Sequence, residues 1–436
     1  MFDIKGKKVT VIGAQRSGLA ALKLIAAKGG RPRLSELGEQ KACPEEILRW
    51  LKAHGSEAEF GGHSKEFIRN SDLVVVSPGV PISAGPLAMA RELGIPFLGE
   101  IEFAAQFCTR PIVAVTGSNG KTTVVNLIHQ LISAGGHKSC LCGNVGFPFS
   151  EHVLGNDDYD FFVLEVSSFQ MESLWGTEKG SRASGPFAIR RFQPRVAVLL
   201  NVTENHLDRH TDMQDYINAK VKIFANQTGE DFAVINGRDE ICQGLKHKLA
   251  AQVREFNKSP DTGNPNFDAA RTAAEILGIP GEAIAGVLRD FKGVEHRLEK
   301  FTVIDGVRFI NDSKSTTPRS SQWALQQLEG PVIWICGGRD KNLNFDIGRD
   351  LVRSKVKCII AIGEARQKIK STFAGTVSIY EAGSLDESVQ MARAKSSPGD
   401  CVLLSPMCAS FDMFKNFEER GRLFKVCVSQ LQRVLN

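Results

Sequence analysis

Residues 111–123 read Pro-Ile-Val-Ala-Val-Thr-Gly-Ser-Asn-Gly-Lys-Thr-Thr, an apolar run that opens directly into a glycine-containing loop. Apolar residues then recur at Val124, Val125, Ile128, Leu131 and Ile132, one helical face, and Gly135-Gly136 supplies a stop. Strand, loop and helix in this order predict a phosphate cradle. Backbone N–H groups of Gly117, Ser118, Asn119 and Gly120 wrap an oligophosphate and Lys121 reaches its outer phosphates. The Thr122 hydroxyl is then placed for Mg²⁺. The longer version of this motif has a glycine where Val115 stands, so this is the shorter GxxGKT form.

Upstream lies a second loop of related design. The strand-like Lys8–Ile12 leads into Gly13-Ala-Gln-Arg-Ser-Gly18 and a helix that ends near Gly29. A further strand ends at Glu36, and Leu73–Val76 runs into Ser77-Pro78-Gly79, which together predict a small doubly wound α/β domain. Gln15 replaces the middle glycine of a dinucleotide fingerprint, so a nicotinamide oxidoreductase is a weak reading. Glu36 is spaced to accept hydrogen bonds from a ligand hydroxyl.

Downstream, strand-like runs at 161–164, 196–200 and 232–235 continue the central unit. Residues 175–194, with Lys179, Arg182, Arg190 and Arg191, show no clean period and are expected to form a surface loop. A hairpin (Thr302–Ile304, Asp305-Gly306, Val307–Ile310) opens a third unit. Its strands at 332–336, 358–362, 377–380 and 401–404 alternate with helical segments. The expected fold is therefore α/β with three domains: a small Rossmann-like domain (1–107), a central P-loop ATPase-like parallel-sheet domain (108–295) and a Rossmann-like C-terminal domain (296–436).

With 436 residues, a net charge of +5 and no basic block, the chain suits an anionic small substrate better than nucleic acid. The ten cysteines lack CxxC pairing and read as free thiols of a reducing compartment. No signal pattern and no membrane-length apolar run is present, so a cytoplasmic protein is expected.

Polar residues at strand ends carry the remaining chemistry. Gly143-Asn144-Val145-Gly146 is one such element, and Glu165 follows Phe161–Leu164 as a carboxylate near the phosphate loop, suited to Mg²⁺. Asn201–His210 holds His206, either a ligand or a satisfied surface side chain. On a helix expected over 214–226, Tyr216, Lys220 and Phe224 share one inward face. Lys220 there either snorkels past apolar neighbours or is desolvated into a reactive neutral amine.

The runs TGSNGKTT, GNVG, LEVSSFQ, NVTENHLDRH, EHRLE, INDSKST and LLSPMCASFDMFKNFEERG occur in the order seen in the Mur ligases, and nearly the whole chain resembles that family. The C-terminal run, with VIGAQRSG and SPGV near the start, resembles the branch that adds D-glutamate. The resemblance implies an ATP-dependent ligase of peptidoglycan precursor synthesis that joins D-glutamate to UDP-N-acetylmuramoyl-L-alanine through an acyl phosphate.

Position by position, it implies that Arg16, Ser17, Glu36, Gly79 and Asn144 hold the UDP substrate. Lys121, Thr122 and Thr123 would hold the ATP phosphates and one Mg²⁺, with Glu165 and His206 at the metal sites. Lys220 would carry a carbamate on a second Mg²⁺. Asn266, Arg297, Asp312 and Lys314 would reach the nucleotide, with Lys121, His206, Lys220 and Arg297 forming the catalytic set. Thr316, Lys341, Ser410 and Phe417 would bind glutamate. A monomer acting on small molecules is expected, with neither nucleic acid nor membrane as partner. Four departures stand out: Gln15 for glycine, Glu36 for the usual Asp, no His-Asn pair before Asn266, and Phe411 for the usual Leu. A sister amide ligase, which would lack the CASFDMFKNFEERG run, and a nucleotide-sensing module without turnover are the alternatives.

Overall fold

The computed structural model describes residues 2–174, 187–203, 209–259, 263–340, 343–346 and 348–434. It divides into two compact units, Met1–Phe291 and Lys292–Asn436.

The first unit holds two parallel sheets. Strands β1 (Lys8–Ile12), β2 (Arg31–Glu36), β3 (Ala58–Phe60), β4 (Leu73–Val76) and β5 (Phe97–Gly99) pair in the order β3-β2-β1-β4-β5. Chain order reverses between β1 and β4, and such a switch opens a crevice at the carboxyl ends of the strands. The helix Arg16–Ala27 leaves β1 through the glycine loop. A Cβ on Gly18 would lie 2.1 Å from the Gly13 carbonyl oxygen, so only glycine lets this helix start so close to β1.

Strands β6 (Ile112–Thr116), β7 (Ser139–Gly143), β8 (Phe161–Glu165), β9 (Val196–Leu199), β10 (Phe232–Asn236) and β11 (Gln252–Phe256) form the second sheet. Their order is β11-β10-β9-β6-β8-β7, again with a switch beside the strand that carries the phosphate loop. Buried on both faces, β6, β8 and β9 read as near-continuous apolar runs. The helix Lys121–Ala134 covers one face with Val124, Val125, Leu127, Ile128, Leu131 and Ile132. Helix Pro265–Ile276 joins it there through Ala269, Ala270, Ala273 and Ala274. On the other face Phe103, Phe149, Phe162 and Phe192 belong to the same apolar cluster as Val9, Leu22 and Leu34. The two sheets therefore share one core.

In the second unit, β12 (Glu299–Ile304), β13 (Val307–Asn311), β14 (Val332–Gly337), β15 (Val356–Ile362), β16 (Ser378–Glu381) and β17 (Cys401–Leu404) pair as β12-β13-β17-β14-β15-β16. Only β12 runs antiparallel, through the expected hairpin, whose turn residues Asp305 and Gly306 both take positive φ, 46° and 74°. Three α/β sheets thus match the three-domain expectation.

Two expectations change. The helix bearing Lys220 spans Met213–Val221 and tightens into a 3₁₀ turn over Lys222–Phe224, keeping Tyr216, Lys220 and Phe224 buried. Residues 187–194 are not a plain surface loop, because Phe187 and Phe192 are buried in the core. The Arg190 guanidinium between them donates to the carbonyls of Ala105, Gln106 and Cys108, satisfying a helix end. Lys179 and Arg182 lie outside the described residues. The ten cysteines are free thiols, nine of them buried.

Candidate active site

The phosphate loop connects β6 to its helix by two glycines in conformations that side chains rarely adopt. Gly117 has φ +154° and Gly120 has φ +86°. A Cβ on Gly117 would press on Leu200, and one on Gly120 would sit 2.3 Å from Asn266 Oδ1. Asn266, at the start of helix Pro265–Ile276, is thus brought against the loop. The turn is pinned from β9: Ser118 N–H donates to the Asn201 carbonyl and Asn119 N–H to Asn201 Oδ1, at 3.0 and 2.9 Å. Ser118 Oγ donates to the Thr203 carbonyl and also meets the Tyr216 hydroxyl at 3.0 Å. The loop is thereby held rigid while the first-turn amides of Lys121, Thr122 and Thr123 start the helix, where anions are favoured. Lys121 folds back onto the carbonyls of Gly117 and Ser118.

At the mouth of β8, Glu165 is only 3% exposed. Thr122 Oγ1 donates to its Oε2 and Asn144 Nδ2 to its Oε1, both at 2.8 Å. Lys220, 1% exposed, donates to the Gly117 carbonyl at 2.9 Å and lies over the Tyr216 ring. Burial, followed by repulsion from Lys121, pushes its ammonium down to about 6, with Glu165 acting the other way. The neutral amine therefore dominates at pH 7. His206 lies outside the described residues.

A cavity of about 820 Å³ opens at the switch of the first sheet. Arg16, Ser17, Glu36, Gly79 and Asn144 all line it, so it touches both sheets of the unit. Glu36 accepts from the N–H groups of Ala14 and Gly38 and so clamps the glycine loop, keeping further lone pairs for a ligand. Arg16 donates to the Gly146 carbonyl at 2.8 Å.

Sequence reasoning missed three contributors. His63 lines the same cavity and bonds Ser35 at 2.7 Å. Arg209 donates to the carbonyls of Gly79 and Val80 while paired with Glu172, which fixes the cavity's rim. Phe147 lies beneath the Arg16 guanidinium. His63 and Phe147 belong to no motif, Arg209 was passed over inside the NVTENHLDRH run, and each acts through a contact distant in sequence.

In the second unit, Asp312, Lys314 and Thr316 follow β13, and the Lys314 N–H bonds the His296 carbonyl, next to Arg297. Arg297 is half-buried with its guanidinium over Trp323. Ser410 is buried, and the Phe417 carbonyl accepts from Ser313 Oγ at 2.8 Å. Buried Arg420 ties these loops together by donating to Ser313 Oγ and to the carbonyls of Ser313 and Cys408. Lys341 lies outside the described residues, and Phe411 is exposed.

Asp312 accepts from Leu298 N–H and Ser405 Oγ, yet burial raises its carboxyl from the ordinary 3.8 to about 6. Between those values the folded chain holds a proton that the unfolded chain has released. Stability from this group is thus present at low pH and lost as pH rises toward 6. The stability of the wild type relative to Asp312→Asn should fall across that window by up to about 3 kcal/mol. Denaturant titrations of both proteins would read this, and a pH-independent difference would contradict it.

Comparison with known proteins places these features. Residues 7–99 match the N-terminal domain model of MurD-like Mur ligases, 115–277 the Mur ligase middle domain, and 296–408 the Mur ligase glutamate ligase domain. A UDP-N-acetylmuramoylalanine--D-glutamate ligase of Pelotomaculum thermopropionicum is 39% identical over 467 residues, 99% of each chain. One of that name from a Thermoanaerobacter species is 37% identical over 470 residues, 99% of this chain and all of the relative. Among solved structures, a UDP-N-acetylmuramate-alanine ligase of Thermotoga maritima has the same fold, with a TM-score of 0.54 and 16% identity over 98% of this chain and all of its own. A MurF ligase of that organism, in complex with ADP, scores 0.52 at 15% identity over 98% of this chain and 96% of its own. The chain belongs to the Mur ligase family.

Proposed function

We propose that this chain uses ATP to join D-glutamate to UDP-N-acetylmuramoyl-L-alanine, a step of peptidoglycan precursor synthesis, releasing ADP and phosphate. The observation that carries this reading is the convergence of Lys121, Glu165 and Lys220 on one glycine loop, with Asn144 reaching from Glu165 to the lining of the large cavity. Full-length relatives named as D-glutamate ligases support the choice of substrates. Labour divides by domain: residues 1–107 take the UDP moiety, 108–295 the ATP phosphates, and 296–436 the amino acid and the nucleoside.

A carboxylate is a poor acyl donor. The alanyl carboxylate therefore attacks the γ-phosphorus of ATP, an O–P bond forms as the bond to ADP breaks, and an acyl phosphate results. The deprotonated glutamate amine then adds to the acyl carbon, and the tetrahedral intermediate expels phosphate. Lys121 moves from the loop carbonyls to the transferring phosphoryl group, where it offsets repulsion between two anions. Arg297, Asp312, Lys314 and Asn266 orient the nucleoside, while Thr316, Lys341, Ser410 and Phe417 receive glutamate.

The donors fit divalent magnesium, since Thr122 and Glu165 present hard oxygens held together in a buried mouth. Thr122 would serve one ion and a carbamate on Lys220 the second, with Glu165 and His206 at these metal sites. Bound magnesium would neutralise phosphate charge. Lys220 suits carbamylation because it is buried, faces Tyr216 and is mostly neutral at pH 7. Its neutral amine attacks CO₂, forms an N–C bond and releases one proton, turning an amine into an anionic oxygen ligand. The enzyme is read as a cytoplasmic monomer; among the described residues no helix is long and apolar enough to cross a membrane.

Lys121→Ala should lower turnover on the order of 10²-fold or more, with affinity for the uridine substrate within about threefold of wild type, because the cavity is formed by other residues. Loss of uridine-substrate binding by tenfold, about 1.4 kcal/mol, would contradict the division of labour.

For the carbamate, enzyme equilibrated with ¹³CO₂ should show a carbamate carbon by NMR that Lys220→Ala lacks, and acetate should restore part of the mutant's activity. A fully active wild type without that signal would rule the modification out.

A further inference from the structure

The phosphate loop and Glu165 occupy the carboxyl ends of the central strands, but an arginine-lined cavity of the first unit lies at their opposite ends. Arg110 precedes β6, Arg190, Arg191 and Arg195 precede β9, and Asp231 precedes β10. These residues line a cavity of about 750 Å³, within the range of small-molecule sites. At about 3.3 Å per residue, five-residue strands separate this edge from the phosphate loop by roughly 15 Å. Nothing in the ligase reaction uses it.

Its charges are unbalanced. Among the described residues, four guanidinium groups face one lining carboxylate, Asp231, whose Oδ2 already accepts from Gln193 Nε2 at 2.7 Å and Thr228 N–H at 2.9 Å. Arg195 reaches Asp231 only at 3.9 Å and otherwise donates to the Glu230 carbonyl. Arg110 has Asp157, a carboxylate 95% exposed to water, among its partners. Arg190 is spent on three carbonyls, which fix its position without cancelling its charge. Arg191 is exposed and has no partner among the described residues. The whole chain carries only +5, so four arginines in one concavity are a marked concentration.

Clustered guanidiniums repel one another, and the low-dielectric wall behind them strengthens that repulsion. A ligand with several acceptor oxygens relieves it, and phosphate matches the planar fork of arginine in pairs of hydrogen bonds. We propose that this cavity binds a small phosphorylated metabolite with two or more negative charges, at a site separate from that of ATP. The concave shape and ligand-sized volume favour a small molecule over a nucleic-acid backbone or a membrane.

Calorimetric titration of the full-length protein with inorganic tripolyphosphate tests this. Wild type should bind at two sites, and Lys121→Ala, which disables the phosphate loop, should keep one. The double variant Arg110→Ser/Arg191→Ser should weaken that remaining site at least tenfold while its ligase turnover stays within about twofold of wild type, showing that it folds. Absence of any binding to Lys121→Ala would overturn the proposal without recourse to the arginine variants. Undiminished second-site affinity in the double variant would overturn it equally.

Discussion

A buried carboxylate governs the first unit. Glu165 closes β8 almost out of reach of water, and its two oxygens are held by Thr122 from the phosphate loop's helix and Asn144 from the end of β7. A carboxylate taken out of water must be hydrogen-bonded or paired, so these three elements cannot drift apart without exposing a costly charge. Lys220 obeys the same constraint from the other side. Its amine is kept close to neutral by burial and rests on the Gly117 carbonyl, which adds a fourth element to the group. Chemistry that transfers a phosphoryl group between anions needs such preorganised dipoles and charges, which cost no rearrangement at the moment of reaction.

The scaffold explains how that group stays in place. Parallel strands β6, β8 and β9 are buried on both faces, so their carboxyl ends are fixed by packing and by ladder hydrogen bonds. The core beneath them continues into the first sheet through Phe103, Phe149 and Phe162. The cavity proposed for the uridine substrate is therefore rigidly registered to the phosphate loop. Arg209 and Asn144 make that registration polar as well as apolar: Arg209 joins the Gly79 and Val80 carbonyls to Glu172, and Asn144 joins the cavity lining to Glu165 at the end of β8. In the second unit, Arg420 plays the comparable part, organising the loops that carry Ser313 and Ala409 around one sealed guanidinium.

Local patterns were the legible part of the sequence. The phosphate loop announces itself because its strand, glycines and helix are contiguous, and the inward position of Lys220 follows from its four-residue spacing to Tyr216. The Asp305-Gly306 turn was equally plain, since both positions need positive φ. The short strands β7 and β11 were not anticipated. Ser-Cys-Leu-Cys-Gly has little β-branched character, and Gln252–Phe256 alternates weakly at a sheet edge. Residues 187–194 misled because two isolated phenylalanines make no period, and Arg190 between them caps a helix 85 residues earlier in the chain. Asn266 and the glutamate-site residues were reached only through family resemblance, because side chains that meet a ligand from separate loops leave no local signature.

The account rests on the substrate carboxylate becoming phosphorylated before the amine attacks. UDP-N-acetylmuramoyl-L-alanine carrying ¹⁸O in both alanyl carboxylate oxygens, incubated with ATP, magnesium and D-glutamate, reads that step directly by mass spectrometry. One labelled oxygen should appear in each released inorganic phosphate, and the other should remain in the product amide. Phosphate released without label, alongside formation of the same product, would show that the carboxylate is activated by another route and would contradict the account.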